Sequence, residues 1–340
     1  MLLLAALLAL HLPPVSSTAP NRQPQMAVSK DSVALVFGSA DTIWLSRSTD
    51  NGHTFGAPAK VAELPKMLLG RHRGPRLVTT GDTMILSAIA TESDLFYWRS
   101  TDGGKTWSKP AVINDQPKAA REGLHAMAAD AEGHVAAAWL DDRIPGGKRL
   151  FGAFSDDRGA SWSKNVMLYE SPSGTICQCC HPTLVSLGHG EFAVMWRNVI
   201  DGSRDFYTLK IRDGKPVTAA AKQGTGTWKL DACPMDGGGL VVRNGELVSA
   251  WRRDHDLYLA EPGKPDAKLG TGKDLALASN TKGLYTIWST PNGIEARLPG
   301  SNATVSLSTA GEFPSLVVLP DGAVLAAWEE NGSIATRRLE

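Results

Sequence analysis

Apolar and polar positions along the chain repeat one unit. HPTLVSLGHGEFAVMW (181–196), GGLVVRNGELVSAW (238–251), LALASNTKGLYTIW (275–288), FPSLVVLPDGAVLAAW (313–328) and HAMAADAEGHVAAAW (125–139) each give an apolar run, a tight polar turn, a second apolar run and a closing Trp. PRLVTTGDTMILSAI (75–89) and QMAVSKDSVALVF (25–37) follow the pattern without the Trp. A third apolar run comes after each copy, as in DTIWLSRS, DLFYWRS and RLFGAFS, and usually a fourth. Short runs at even spacing, separated by Gly, Asp and Asn turns, predict four-stranded antiparallel blades. Self-similarity at a period of roughly 40 to 50 residues signals a closed ring or an array.

The copies begin near residues 25, 75, 125, 182, 238, 275 and 313, which predicts an all-β propeller of seven blades. Six blades, with one copy misread, is the alternative. The last copy ends at GSIATRRLE with only three strands. An open hydrophobic edge invites aggregation, so the N-terminal segment, around residues 18–25, is predicted to supply the missing strand and close the ring.

Between the third and fourth strands, three copies carry STDNGHTF (48–55), STDGGKTW (100–107) and SDDRGASW (155–162). In this S-x-D-x-G-x-[TS]-[WF] pattern the Asp side chain can accept turn N–H groups and the Gly can take a positive φ. Asp50, Asp102 and Asp157 are therefore read as structural. The pattern is the Asp-box, and with the blade repeat the chain resembles the sialidase-type (BNR repeat) propeller superfamily across residues 20–340.

Charge adds little: 35 Lys+Arg balance 35 Asp+Glu, which gives no basic surplus for nucleic acid. The N-terminus adds more. MLLLAALLALHL is apolar but too short to span a bilayer before Pro13-Pro14, and Ser17-Thr18-Ala19 places small residues before a cut. Residues 1–19 are read as a bacterial export signal, with a short membrane anchor as the alternative. The expected location is secreted or periplasmic, the mature chain having no membrane span and being monomeric. In such an oxidising compartment cysteines pair by default.

If the Asp-boxes lie on the lower face, the inter-blade loops and the second-to-third-strand loops share the upper one, where function concentrates. Those loops hold Arg71, His72, Arg73 and Arg76; Arg121, Glu122 and His125; Asp141, Asp142 and Arg143; Arg197, Asp201, Arg204 and Asp205; and Arg252, Arg253, Asp254 and His255. They also hold ICQCCHP and WKLDACPMDGG, with Cys177, Cys179, Cys180, His181, Cys233, Met235 and Asp236. Blades one, six and seven contribute little. Arg71, Arg73, Asp141, Arg197, Asp236 and Arg253 are candidate ligand-binding residues, though solvated ion pairs are the plainer reading of many of them. His134 and His189 fall on the opposite face.

Three of the four cysteines stand within four residues. At most one bridge can reach Cys233, and residues one to three apart rarely meet disulfide geometry. The alternatives are a soft-metal or redox site and a cross-blade disulfide with strained or free thiols beside it. The metal reading takes Cys177, Cys179, Cys180, Cys233, His181, His125, His72 and Met235 as ligands for copper or zinc, the thioether suiting Cu(I). C-x-C-C in one blade paired with C-P-x-[DN]-G in the next is similar to an exported bacterial branch of these propellers.

The superfamily resemblance implies a test for hydrolysis: three arginines on a carboxylate, a Tyr nucleophile with a Glu base, and an Asp acid. Arg73 or Arg76, Arg197 and Arg252 or Arg253 are weak candidates for the arginines, and Asp142 for the acid. Tyr97, Tyr207 and Tyr258 fall in third strands and Tyr285 in a second, which leaves only Tyr169 beside Glu170. The first expectation is thus an exported propeller with a Cys/His/Met metal or redox site. A sialidase-type glycoside hydrolase and a non-catalytic glycan- or protein-binding propeller with structural disulfides are the alternatives.

Overall fold

A computed structural model describes residues 9–30 and 32–339, and among them every regular element is a β-strand. Seven antiparallel sheets follow one another in chain order. Blade 1 comprises Arg22–Ser29, Ser32–Ser39, Thr42–Ser48 and Ala59–Glu63. Blade 2 runs from Arg76–Thr80 to Ala111–Val112, and blade 3 from His125–Ala129 to Val166–Tyr169. Blade 4 starts at Thr183–Gly188, and its outer strand is split into Lys215–Pro216 and Ala221–Lys222. Blade 5 spans Gly239–Arg243 to Ala267–Thr271, blade 6 Lys273–Asn280 to Thr304–Ser308, and blade 7 starts at Gly311–Val318.

The core lies between blades, which explains the apolar runs. An interior second strand sends alternate side chains to the blade before and the blade after, so both faces are covered and polar alternation is lost. Thr83–Ile89 and Val135–Asp141 are buried at every position. Trp139 packs on Ile85 and Ile89 of blade 2, Trp196 on Ala126 and Phe154 of blade 3, and Trp288 on Ala250 and Leu257 of blade 5. Truncating one such Trp to Ala would cost about 3–5 kcal/mol.

The Asp-boxes are built alike. In the first, Asp50 accepts from Ser48 Oγ at 2.7 Å and from Thr54 N at 2.9 Å, while Gly52 N donates to Ser48 Oγ at 2.7 Å. Asp102 and Asp157 repeat these contacts with Ser100 and Thr106, and with Ser155 and Ser161. The third box shows why glycine is needed: φ is +74° at Gly159, and a Cβ there would lie 2.8 Å from Ile85 of blade 2. The box is thus also an inter-blade contact.

The ring is closed by the N-terminal segment, but not by residues 18–25. Leu10–Leu12 pairs antiparallel with Ser333–Leu339 as the outer strand of blade 7, whereas Arg22–Ser29 is already the inner strand of blade 1. Asn21 lies in between and is fully buried. Its amide donates to Pro13 O at 2.9 Å, and its Oδ1 accepts from Val15 N at 3.1 Å. Leu10–Leu12, the described part of the apolar run, is thus a strand of the ring. A cut after Ala19 would remove that strand, and only one before Leu10 leaves it in place; residues 1–8 of the expected signal lie outside the described residues. No helix among the described residues is long and apolar enough to cross a membrane.

Candidate functional site

The loop from blade 1 to blade 2 crosses the ring axis. Arg71 and His72 in it have φ of 52° and 66°, sparsely populated values for side-chain-bearing residues. His72 Nε2 meets Asp274 Oδ1 of blade 6 at 2.7 Å, its ring stacks on His181 of blade 4 at 4.2 Å, and Phe313 of blade 7 packs edge-on at 5.2 Å. Above this floor opens a funnel of about 1280 Å³, lined by residues that include Arg71, Arg73, Cys233, Met235, Lys273 and Phe313. Blades 6 and 7 therefore contribute more than expected. Their signals, TGKD and GEFP, fall at the start of the inner strands of blades 6 and 7 and carry no unusual residue types.

The thiols gather in the wall between blades 4 and 5. Cys177 N donates to Arg197 O at 3.0 Å, which ties the cysteine loop to the end of the second strand of blade 4. Cys177 Sγ lies 3.4 Å from Cys180 Sγ and 3.7 Å from Cys179 Sγ, all three thiols are buried, and all lie within 4.8 Å of one another. Met235 packs against the group, and Arg204 Nη1 donates to Cys177 Sγ at 3.2 Å. Hydrogen bonds from the Cys179 and Cys180 thiols, with the charge of Arg197, hold Cys177 far below the usual thiol range. The hydrogen bond that Cys179 makes to Cys177 pushes Cys179 up, with Cys233 beside it adding to the effect, while burial pushes Cys180 up. All four cysteines are free thiols, so no disulfide joins the blades.

The motif CPMDGG can be read position by position. Cys233 faces Cys179, and Met235 covers the trio with a φ of 58°. Asp236 accepts from Arg197 Nη2 at 2.9 Å and pairs with Arg252 Nε at 2.9 Å. A Cβ at Gly237 would sit 2.3 Å from the His181 ring. Arg197 also lies over Phe206 and Trp228, at 4.1 and 5.1 Å.

Of the expected metal ligands, the structure brings the three thiols and Met235 together, without an imidazole among the trio, and Cys233 stands beside Cys179. His181 follows Cys180 directly, but its ring turns to the axis and stacks on His72. His125 is buried and bonds Ser87 Oγ at 2.8 Å. A separate lower-face group, Asp130, Glu132 and His134, is a turn cap: Asp130 Oδ1 accepts the N–H groups of Glu132, Gly133 and His134.

Most of the residues weighed for a sialidase arrangement are engaged with other groups. Arg76 is buried and donates to His72 O and Pro75 O, and Arg197 and Arg252 are held by Asp236. Arg253 turns outward over Tyr258 and toward Asp266. Asp142 is engaged by Arg121 and Lys148, and Asp141 bonds Trp139 and Arg143. Tyr169 accepts from Asn198, and Glu170 pairs with Arg149. Of the expected ligand-binding residues only Arg71 and Arg73 line the funnel.

Fold and site together define a β-propeller of seven blades with a thiol cluster in the wall of its axial funnel. No protein-family model matches the sequence, and no curated protein matches it either. Among solved structures, the chain is similar to the Penicillium chrysogenum alpha-L-arabinanase complexed with arabinobiose (14% identity, 98% of each chain, TM-score 0.59). It is also similar to a protein of unknown function from Dyadobacter fermentans (17%, 98% of each chain, 0.58) and to the intramolecular trans-sialidase from Ruminococcus gnavus in complex with oseltamivir carboxylate (11%, 94% of each chain, 0.54). At such identities the likeness is one of fold, and fold does not carry activity.

Proposed function

We propose that the chain is a binding propeller whose functional centre is the Cys177–Cys179–Cys180 pocket, and that its ligand is a soft metal ion, Cu(I) first. The observation that carries this reading is the convergence of three buried thiols within 4.8 Å, with the Met235 thioether packed on them. Thiolate and thioether ligands select Cu(I) over harder ions. Charge supports it as well. Cu(I) with three thiolates carries minus two; Arg197, Arg252 and Asp236 together give plus one, and Arg204 at Cys177 adds another.

Zinc with four thiolates would carry the same charge, so the two ions differ in their need for Cys233. The experiment is competition titration of the reduced protein with Cu(I) and with Zn(II). Tight Cu(I) binding that is lost in Cys179→Ser and kept in Cys233→Ser and His181→Ala supports the three-thiol site. Zn(II) binding that needs Cys233 assigns zinc instead, and wild type that binds neither ion defeats the reading.

A second reading is a glycan in the funnel. Its volume of about 1280 Å³ exceeds what a small ligand needs, and a propeller of this fold has been solved with arabinobiose. Calorimetry with arabinan and sialyl oligosaccharides tests it, and heats no larger than dilution remove it.

A further inference from the structure

The pocket that would hold the ion is closed from solvent, while its neighbours Cys233 and Met235 line the funnel. Any ion reaching the trio from the funnel meets these two sulfurs first. Arg71 stands at the same point: its Nη1 approaches Met235 Sδ at 3.8 Å. The other funnel cations each have a carboxylate within reach: Arg22 has Glu329 at 3.2 Å, Arg73 has Glu122 at 4.0 Å, Arg121 has Asp142 and Glu92, and Lys273 has Asp274 at 3.5 Å. Among the described residues, Arg71 has no such ion pair. Both contacting residues, Arg71 and Met235, hold a left-handed backbone, with φ of 52° and 58°. Backbone strain of this kind persists where the surroundings over-determine it and clusters at ligand clamps.

We infer that Arg71, Met235 and Cys233 form a receiving station, distinct from the storage pocket, which takes Cu(I) from an anionic complex with a small carboxylate-bearing thiol. This rests on the Cu(I) reading of the three-thiol pocket. Arg71 docks a carboxylate of the donor, and Met235 offers a thioether to the ion as it arrives. The transfer is ligand exchange without electron transfer. One donor Cu–S bond breaks as Cys233 Sγ bonds the ion, and the Cys233 proton leaves on the released donor thiol. In the next step Cys179 Sγ bonds the ion and returns its proton to Cys233 as the Cu–Cys233 bond breaks. Cys233 beside Cys179 makes that second exchange a step between neighbours.

The test is stopped-flow uptake of Cu(I) by the reduced protein from two donors, the anionic glutathione complex and the uncharged-ligand acetonitrile complex, beside equilibrium competition titration. Arg71→Ala should slow uptake from glutathione by roughly tenfold or more and flatten its salt dependence, the scale of electrostatic steering, while uptake from acetonitrile and the equilibrium affinity stay unchanged. Arg71→Lys should restore part of the rate. Cys233→Ser should slow uptake from both donors without lowering the final occupancy. Equal rates and equal salt dependence for wild type and Arg71→Ala overturn the station and leave the pocket standing. A wild type that takes Cu(I) from neither donor and fails the equilibrium titration removes the pocket, and the station with it.

Discussion

The Arg197 guanidinium donates to the Asp236 carboxylate at 2.9 Å, with only 1% of either side chain exposed. Arg197 ends the second strand of blade 4 and its carbonyl holds Cys177 N, while Asp236 stands three residues after Cys233. One buried pair thus clamps both cysteine-bearing segments. Removing one partner of such a pair strands the other charge in low dielectric. Asp236→Leu should therefore lower unfolding free energy by about 3–5 kcal/mol, with less than the summed loss when Arg197→Met is added. Urea denaturation of the two single variants and the double variant checks this. A loss under about 1 kcal/mol for Asp236→Leu would mean that the pair is not desolvated in solution.

The N-terminal strand makes a second claim. Leu12 is buried against Ile334 and Phe37 at the junction of blades 7 and 1, and Asn21 satisfies backbone groups of the turn that leads back. Asn21→Ala removes the partner of these part-buried groups, at a cost of about 1 kcal/mol. Deleting residues 1–12 should cost more, because it also opens the edge of blade 7. Thermal unfolding measures both, and an unchanged Tm after the deletion would show that the ring does not depend on this strand.

The fold was legible because a propeller writes itself seven times: each blade repeats the same apolar runs, and three repeat the Asp-box. The latch was misplaced because Leu10–Leu12 sits inside a run whose composition reads equally as a leader. Site residues divided along similar lines. Cys177, Cys179, Cys180, Cys233 and Met235 stand out by residue type, and the structure gathers them. His125, Arg197 and Arg252 carry the same chemistry in sequence but are spent on Ser87 and Asp236, which only side-chain packing reveals. Asp274 and Phe313 went unread because their role comes from His72, which reaches them across the axis from the loop between blades 1 and 2.

The Asp-boxes should leave a mark on acid stability. Burial pushes the Asp157 carboxyl up, but hydrogen bonds from Ser161 and Ser155 outweigh it and hold the group at about 2. Hydrogen bonds from Thr54 and Ser48 likewise hold Asp50 below the usual range. A carboxyl of lower pKa in the folded chain binds its proton more tightly when unfolded, where it titrates near pH 4. Its contribution is fully present above that pH and is lost as pH falls through 4 toward 2. Asp157→Asn should therefore be less stable than wild type at pH 6, with the gap narrowing below pH 4. Parallel Tm profiles from pH 6 to 2.5 would contradict this.

Thiol reactivity separates the arrangement described here from a stapled one. Cys233 is exposed at the funnel, whereas Cys177, Cys179 and Cys180 lie in the wall behind it. Only a thiolate reacts quickly, and only where the reagent can reach it. Cys177, whose thiol pKa is held low, has no access, being surrounded by Cys179, Cys180 and Arg204. A disulfide reagent such as 5,5'-dithiobis(2-nitrobenzoate) should thus titrate one thiol of the native protein rapidly and three more only on unfolding. Cys233→Ser should abolish the fast phase and leave the slow three. Opening the clamp with Asp236→Leu should speed the slow phase, since the loop bearing Met235 then loses its anchor. A denatured protein with no titratable thiol would show both cysteine pairs joined, and four equally fast thiols in the native protein would show that the trio is open to solvent.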